Sequence, residues 1–214
     1  MNQPGDFLDE ITSVRRSVRK YRAEVPPRGA IEAMIECAAK APSPSNSQPV
    51  RFVRIVSPPL LEALHGEMLR ARRELLQRVE AEGGSKKTRN LVNACFRCSE
   101  FMFRAPVLIA AGTVPVHAGF SSRLAEAKIL RADRRGETDL DITLGLALKG
   151  FLLKGRALGL GTCILTAPLL FLSDVRKTLG LEDIRIRCFV TVGIPDDTPP
   201  FIERKSAAEL YREI

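Results

Sequence analysis

The sequence predicts a mixed fold of helices and strands that lies outside the regularly alternating α/β class. Two observations carry this. The segments read from hydrophobic periodicity run α-α-β-α-α-β-α-β-α-β, with no repeated strand-then-helix unit. The paired glycines Gly159 and Gly161 follow a helical segment rather than a strand, so they lack the context of a dinucleotide-binding turn. At 214 residues the length suits one domain with an embellishment, in which roughly 70% of the unfolded chain's surface can be buried.

Taken in order, Phe7, Leu8, Ile11 and Val14 make a helical stripe that ends at the basic run Arg15–Tyr21. Pro26-Pro27-Arg28 breaks the chain and opens a helix with Ile31, Met34, Ile35 and Ala38 on one face. Pro42 closes it, because the residue before a proline is pushed out of the helical region. Residues 41–49 are dense in turn formers. Residues 51–56 alternate as a half-buried strand. Ser57 and the two prolines after it predict an N-cap and an arginine-rich helix to about Glu82, stopped by Gly83-Gly84. Residues 86–103 read as another helix, and the apolar run 105–116, bounded by prolines, as a central strand. After a polar connection over 117–137, Asp139 or Asp141 is expected to cap an apolar helix to Leu158, with Gly159 as its stop. Residues 161–165 form a short strand and Ala167-Pro168 a turn. Ser173-Asp174 opens a helix ending near Gly180, and residues 185–193 make the last strand before a polar C-terminal arm.

Composition narrows the function classes. With 27% charged and 45% hydrophobic residues, a mainly disordered chain is excluded. The uncharged stretch 157–172 is 16 residues long and interrupted by glycines and a proline, too short and broken to cross a bilayer. The N-terminus carries acids where a signal peptide needs a basic region, so a soluble, cytoplasmic protein is expected. The 33 Lys plus Arg against 25 Asp plus Glu leave a net charge of +8. Such a surface attracts phosphates, yet aromatic content is 6%, Trp is absent, and no nucleic-acid signature appears. Nucleic acid is therefore not the expected partner; a phosphate-bearing cofactor, an anionic substrate or a solvated basic surface accounts for the charge. Five cysteines argue against a disulfide framework. Cys95 and Cys98 form a CxxC without the second pair that structural zinc requires, and His65 and His117 stand at no ligand spacing. They read as a buried and a half-exposed cysteine on one helix, and no metal is expected.

Three separated segments are specific in combination: Arg15–Tyr21 (RRSVRKY), Ala41–Val53 (APSPSNSQPVRFV) and Ala157–Leu165 (ALGLGTCIL). With the late VTVGIP and the basic ERKS of the tail, they resemble the FMN-dependent nitroreductase family over almost the whole chain. The resemblance implies an α+β sandwich, a central mixed β-sheet wrapped by helices, as a single domain over 1–214 with a helical, Arg-rich excursion at about 58–103. It implies an intertwined homodimer with FMN at the subunit interface. It also implies an oxidoreductase that passes hydride from NAD(P)H through flavin N5 to a nitroaromatic, quinone or similar electron-poor small molecule. Relatives that break down flavin, dehalogenate aromatics or modify a deazaflavin define one alternative. A non-catalytic basic protein that binds nucleic acid or another anion defines the other.

Carried over by motif, Arg15, Arg16, Ser17 and Arg19 contact the FMN phosphate, ribityl chain and pyrimidine edge, a task suited to guanidinium forks. Pro42, Ser43, Ser45, Asn46 and Gln48 approach the flavin of the partner subunit with short hydroxyl and amide groups. Many relatives place Trp where Val50 stands, which alters packing beneath the loop. Leu165, Thr166 and Ala167 supply backbone contacts near N5, without the acidic residue some relatives carry near Thr166. Arg204 and Lys205 stand where relatives carry phosphate contacts. No nucleophile or general base is assigned; Tyr21, His65 and His117 have no spacing that brings them to a flavin. For the dimer, Leu144, Leu148, Phe151 and Leu152 are expected to help fill a shared core, with Lys149 and Arg156 on another side and well over roughly 2,000 Å² buried.

Overall fold

The computed structural model describes residues 4–116, 123–124, 126–129 and 135–214. Its centre is the sheet strand β2 (Val107–Thr113), in which every residue is buried. On one side β2 pairs with β1 (Val50–Ile55) and on the other with β4 (Arg185–Gly193), which in turn pairs with β3 (Gly161–Leu165). Alternation along β2 sends Leu108 and Ala110 to one face and Val107, Ile109 and Ala111 to the other. Each face carries its own helical layer. Helices α2 (Arg28–Ala39) and α5 (Arg135–Ala157) cover the second face through Ile31, Met34, Leu144, Leu148 and Phe151. Helices α3 (Pro58–Ala81), α4 (Lys86–Glu100) and α6 (Val175–Leu179) cover the first through Leu64, Met68, Phe96 and Val175. The result is an α+β sandwich with helices on both faces of a four-stranded sheet.

The expected mixed sheet is antiparallel in all three of its described ladders. The connections explain this. α3 and α4 form a hairpin, tied by Arg72 to Asn93 and His65 to Glu100, that returns the chain to the end of the sheet it left. The α5 crossover makes β2 and β3 run the same way, but β4 enters between them in the opposite direction. Among the described residues, parallel pairing is confined to an isolated bridge between Ser17 and Thr162. Register shifts between Ala111 and Gly112, where β4 carries an extra residue, so that Ile186 and Cys188 face opposite cores. Gly112 is required there, since a Cβ would run into the Arg185 carbonyl.

Helix ends follow the sequence with three exceptions, the first being that α4 stops at Glu100 and a 3₁₀ turn, Phe101–Arg104, takes up the rest of the expected helix. Ser57 makes no side-chain cap, although Pro58 opens α3 as expected. α5 starts at Arg135, so Asp139 and Asp141 lie inside it rather than capping it. Asp141 is held by charge instead, 2.9 Å from Arg187 of β4. Gly159, at φ +75°, ends the run after α5, and Gly180, at φ +66°, ends α6. Leu144, Leu148 and Phe151 fill the chain's own core, with Leu152 packed at its margin, because α2 and the sheet cover that face of α5. Ile142 and Leu146 are the exposed apolar residues of α5. No helix among the described residues is long and apolar enough to cross a membrane.

Candidate functional site

The arginine segment is built onto the free edge of β3. After α1 (Pro4–Val14) the chain extends, and the Val18 N–H donates to the Thr162 carbonyl at 3.0 Å. Further on, Arg22 N donates to Ile194 O at 3.0 Å and Asp196 N to Lys20 O at 3.1 Å. Tyr21 locks the same stretch: its hydroxyl donates to the Val18 carbonyl at 2.6 Å and shares a hydrogen bond with Thr191 Oγ1 at 2.7 Å. Burial pushes the Tyr21 phenol above its ordinary pKa. Gly161 permits the close seat, because a Cβ there would lie 2.7 Å from the Val18 side chain.

This seating brings cations together. Arg15, Arg16, Lys149 and Arg204 are the charged residues lining a cavity of about 440 Å³, with Phe201 and Ile202 beside them. They come from the end of α1, from α5 and from the C-terminal arm, and no carboxylate is among the described lining residues. Burial, then the charges of Arg204 and Arg16, hold the Arg15 guanidinium below its ordinary pKa. A neighbouring cavity of about 400 Å³ shares Arg15, Arg16 and Phe201 and adds Arg156 and Asp197, so its described lining, unlike that of the first, includes an acid. Ser17 is half-buried and Arg19 exposed. Burial raises the Cys163 thiol above its ordinary pKa, and Arg19, a hydrogen bond with Ser17 and Arg15 offset part of that rise.

The remaining predicted residues lie elsewhere on the chain. Ser43 and Gln48 line a separate cavity of about 220 Å³ with Val50, Phe52, Thr143 and Ala147. Ser45, Asn46 and Gln48 adopt left-handed backbone at φ 52°, 54° and 45°, and Pro42 is exposed at the base of the loop. Val50 packs against the α2–α5 core. Leu165 is buried at the end of β3, whereas Thr166 is exposed and Ala167 begins a 3₁₀ turn. Lys205 is exposed and does not line the cavity that Arg204 lines. The cavity lined by Ser43 and Gln48 shares no residue with either cavity lined by Arg15 and Arg16.

Cys95, Cys98 and His65 all belong to the α3–α4 hairpin. Cys95 is half-buried beside the α3–α4 core and Cys98 is exposed. No group of three or more metal-ligating side chains occurs among the described residues. His65 pairs with Glu100 at 3.2 Å and packs 4.7 Å from the Phe103 ring, while His117 lies outside the described residues. Arg72 of the arginine-rich excursion donates twice to Asn93 Oδ1, at 3.0 and 2.7 Å, and lies over Phe96, so it staples the α3–α4 hairpin. Sequence reasoning missed Lys149 and Phe201. Lys149 reads as one more exposed helical lysine, and only the tertiary fold turns it toward Arg15.

In fold the chain is similar to a BluB-like flavoprotein from Clostridium difficile 630, with a TM-score of 0.80, 23% identity and 100% of each chain covered. It is similar to the FMN-dependent nitroreductase NfnB from Mycobacterium smegmatis, solved in complex with NADPH, with a TM-score of 0.71, 18% identity, and coverage of 99% of this chain and 100% of that one. An iodotyrosine deiodinase bound to FMN and 3-iodo-L-tyrosine matches at a TM-score of 0.63 and 22% identity, over 94% and 96% of the two chains. At these identities the likeness is one of fold. The profile of the Nitroreductase family matches residues 13–194, which take in the arginine segment, the Pro42–Gln48 loop and all four strands, and the chain belongs to that family.

Proposed function

We propose that this protein is an FMN-dependent oxidoreductase that moves hydride from NAD(P)H, by way of flavin N5, to a nitroaromatic, quinone or similar electron-poor small molecule. The observation that carries the reading is the cavity in which Arg15, Arg16, Lys149 and Arg204 converge with no acid in its described lining. Like charges gathered in one place repel, and a dianionic phosphate relieves that repulsion while matching the guanidinium forks. Bound FMN supplies the redox chemistry, and the protein supplies position, charge and access.

Within this reading Arg15 and Arg204 hold the phosphate with Lys149, and Lys205 adds charge at its margin. Ser17 and Arg19 serve the polar edge of the ring, and the backbone of Leu165, Thr166 and Ala167 lies near its reactive atom. The loop of Pro42, Ser43, Ser45, Asn46 and Gln48 serves the site of a second copy. Its separation from the arginine cavity within one chain is what a two-chain site requires. Exposed Ile142 (57%) and Leu146 (46%) on α5, with Phe7 (58%) and Leu8 (54%) on α1, supply apolar surface for such a homodimer. The α3–α4 hairpin is then the embellishment of a single nitroreductase-like domain.

Purification and titration test the reading. The protein should be yellow, or take up added FMN with quenching of flavin fluorescence, and light scattering should give twice the 23.6 kDa chain mass. NADH and NADPH oxidation against a panel of acceptors should give parallel double-reciprocal lines, because donor and acceptor use one site in turn. Turnover confined to halogenated aromatics, or to consumption of the flavin itself, would instead identify a specialised flavin reaction. A colourless protein that takes up no FMN would leave the anion-binding alternative.

A further inference from the structure

Arg16 uses its guanidinium differently from Arg15. Its Nη1 donates to the Ser13 carbonyl at 2.6 Å and to the Arg15 carbonyl at 2.8 Å, so it closes the end of α1. The guanidinium carbon also lies 5.0 Å from the centroid of the Phe201 ring. Phe201 is 75% exposed, so the core does not hold it in place. Nor does the backbone around it. The Asp196 N–H reaches the Lys20 carbonyl, and the next hydrogen bonds, at Ser206, go to its own short helix α7 (Ala207–Leu210). Among the described residues, 197–205 make no hydrogen bond or ion pair, and the Arg16 guanidinium over the Phe201 ring ties this stretch to the end of α1. Arg204 stands three residues after Phe201 and lines the same cavity as Arg15.

We infer that Arg16 and Phe201 form a latch that sets Arg204 beside Arg15, which makes Phe201 a positioning residue for the phosphate side of the site. The inference rests on the FMN reading above. It separates two arginines that the motif treats alike: Arg15 faces the anion, and Arg16 holds the arm that brings the second cation. A stacked guanidinium with its Nη1 hydrogen-bonded to two carbonyls is fixed in orientation, so the ring it holds is fixed as well.

The test is a set of FMN and riboflavin titrations on the full chain, because riboflavin lacks the phosphate. Phe201→Leu should weaken FMN binding by about fivefold and leave riboflavin binding unchanged. Phe201→Tyr keeps the ring face and should retain wild-type affinity. Arg204→Ala should weaken FMN binding by about tenfold or more, and adding Phe201→Leu to it should change nothing further, since both remove one cation from the phosphate. Wild-type FMN affinity in Phe201→Leu would overturn the latch. So would losses that multiply in the double variant, or an equal loss of riboflavin, because Phe201 would then touch the flavin directly. A wild-type protein that binds neither flavin would overturn the FMN reading and the latch together. One that binds both alike would leave flavin binding standing and remove the phosphate cavity and the latch.

Discussion

The arginine segment 15–21 and the loop 42–48 are both read as cofactor-binding, yet the chain holds them in opposite ways. The segment is bonded outward: Val18 to Thr162, Arg22 to Ile194, and Tyr21 to Thr191 tie it to β3, β4 and the residue just beyond β4. The loop is bonded inward. Asn46 N donates to Ser43 O at 3.0 Å, Ser47 N to Pro44 O at 3.0 Å, and Gln48 N to Ser43 Oγ at 3.0 Å. It holds three non-glycine residues in left-handed backbone, each at a cost of roughly 1–2 kcal/mol, and the buried Ser47 Oγ has no partner among the described residues. Strain of this kind persists where surroundings over-determine it, and it gathers at binding sites. The Arg15 segment is thus organised by its own chain. In the proposed two-chain site, the strain of the Ser43–Gln48 loop is held for the flavin of the partner subunit.

The largest expected effect breaks the first half at its seat. Gly161→Val places branched carbons where the Val18 side chain lies, and both positions are buried, so neither can move into solvent. Overpacking of this kind costs about 1–3 kcal/mol. The arginine segment should lift from β3, so urea unfolding should show the loss of stability and FMN uptake should vanish in the protein that remains folded. Retained FMN affinity with the stability loss would show that the segment does not need β3 to bind.

Next comes Arg15→Ala, which leaves the seat intact and removes a charge. Loss of a charge-assisted contact costs on the order of 1.5–3 kcal/mol, or about ten- to a hundredfold in Kd. Fluorescence titration should show that weakening without a change in the melting temperature of the FMN-free protein. Lys149→Gln, from α5, should weaken FMN in the same sense by less, because a single point charge makes no bidentate contact.

That pair marks how far the sequence could be read. Arg15 is legible as a candidate because its neighbours in the chain, Ser17 and Arg19, complete a motif. Lys149 is not, because its relation to Arg15 exists only once α5 packs beside the end of α1. The same division runs through the fold. β2 announced itself as an uninterrupted apolar run, and Gly159 and Gly180 as helix stops, since each is a local consequence of composition. The antiparallel sheet was not legible: strand direction depends on β4 entering between β2 and β3, which no local pattern encodes. The start of α5 was misplaced because Asp139 and Asp141 have the chemistry of caps, whereas Asp141 is placed for Arg187 on a distant strand.

A smaller effect tests the lock. Tyr21→Phe removes one hydroxyl that serves Val18 O and Thr191, at a cost of about 1 kcal/mol. The effect should depend on pH with a definite sign. Burial raises the folded-state pKa of Tyr21 above its ordinary value of 10.0, so the phenol's contribution is whole below that pH and is lost as pH rises above it, where the unfolded chain ionises first. Urea unfolding should therefore show wild type ahead of the variant at neutral pH, with the gap narrowing above about pH 10. A gap that stays constant to pH 11 would place the ring in a less buried setting.

The smallest effects sharpen the comparison by their opposite signs. Ser17 lies in the outward-bonded segment and is not among the residues of positive φ, so glycine there gains nothing in the folded state. Ser17→Gly should destabilise the FMN-free protein by at least about 0.5–1 kcal/mol, through added freedom of the unfolded chain and loss of its hydrogen bond with Cys163. Ser45 stands at φ 52°, where glycine escapes the crowding of a Cβ against the following carbonyl. Relief of about 1–2 kcal/mol against the same entropic cost leaves Ser45→Gly neutral or stabilising by up to about 1.5 kcal/mol. Paired urea titrations of the two variants against wild type read the signs directly. The loop then offers a second readout, because a more mobile Ser45 must be ordered when the partner's flavin is bound. Ser45→Gly should gain stability in the FMN-free protein and lose a little FMN affinity at the same time, a combination that follows from strain held for binding. If Ser45→Gly destabilises as much as Ser17→Gly, the loop is held by its own chain after all, and the contrast between the two halves of the site collapses.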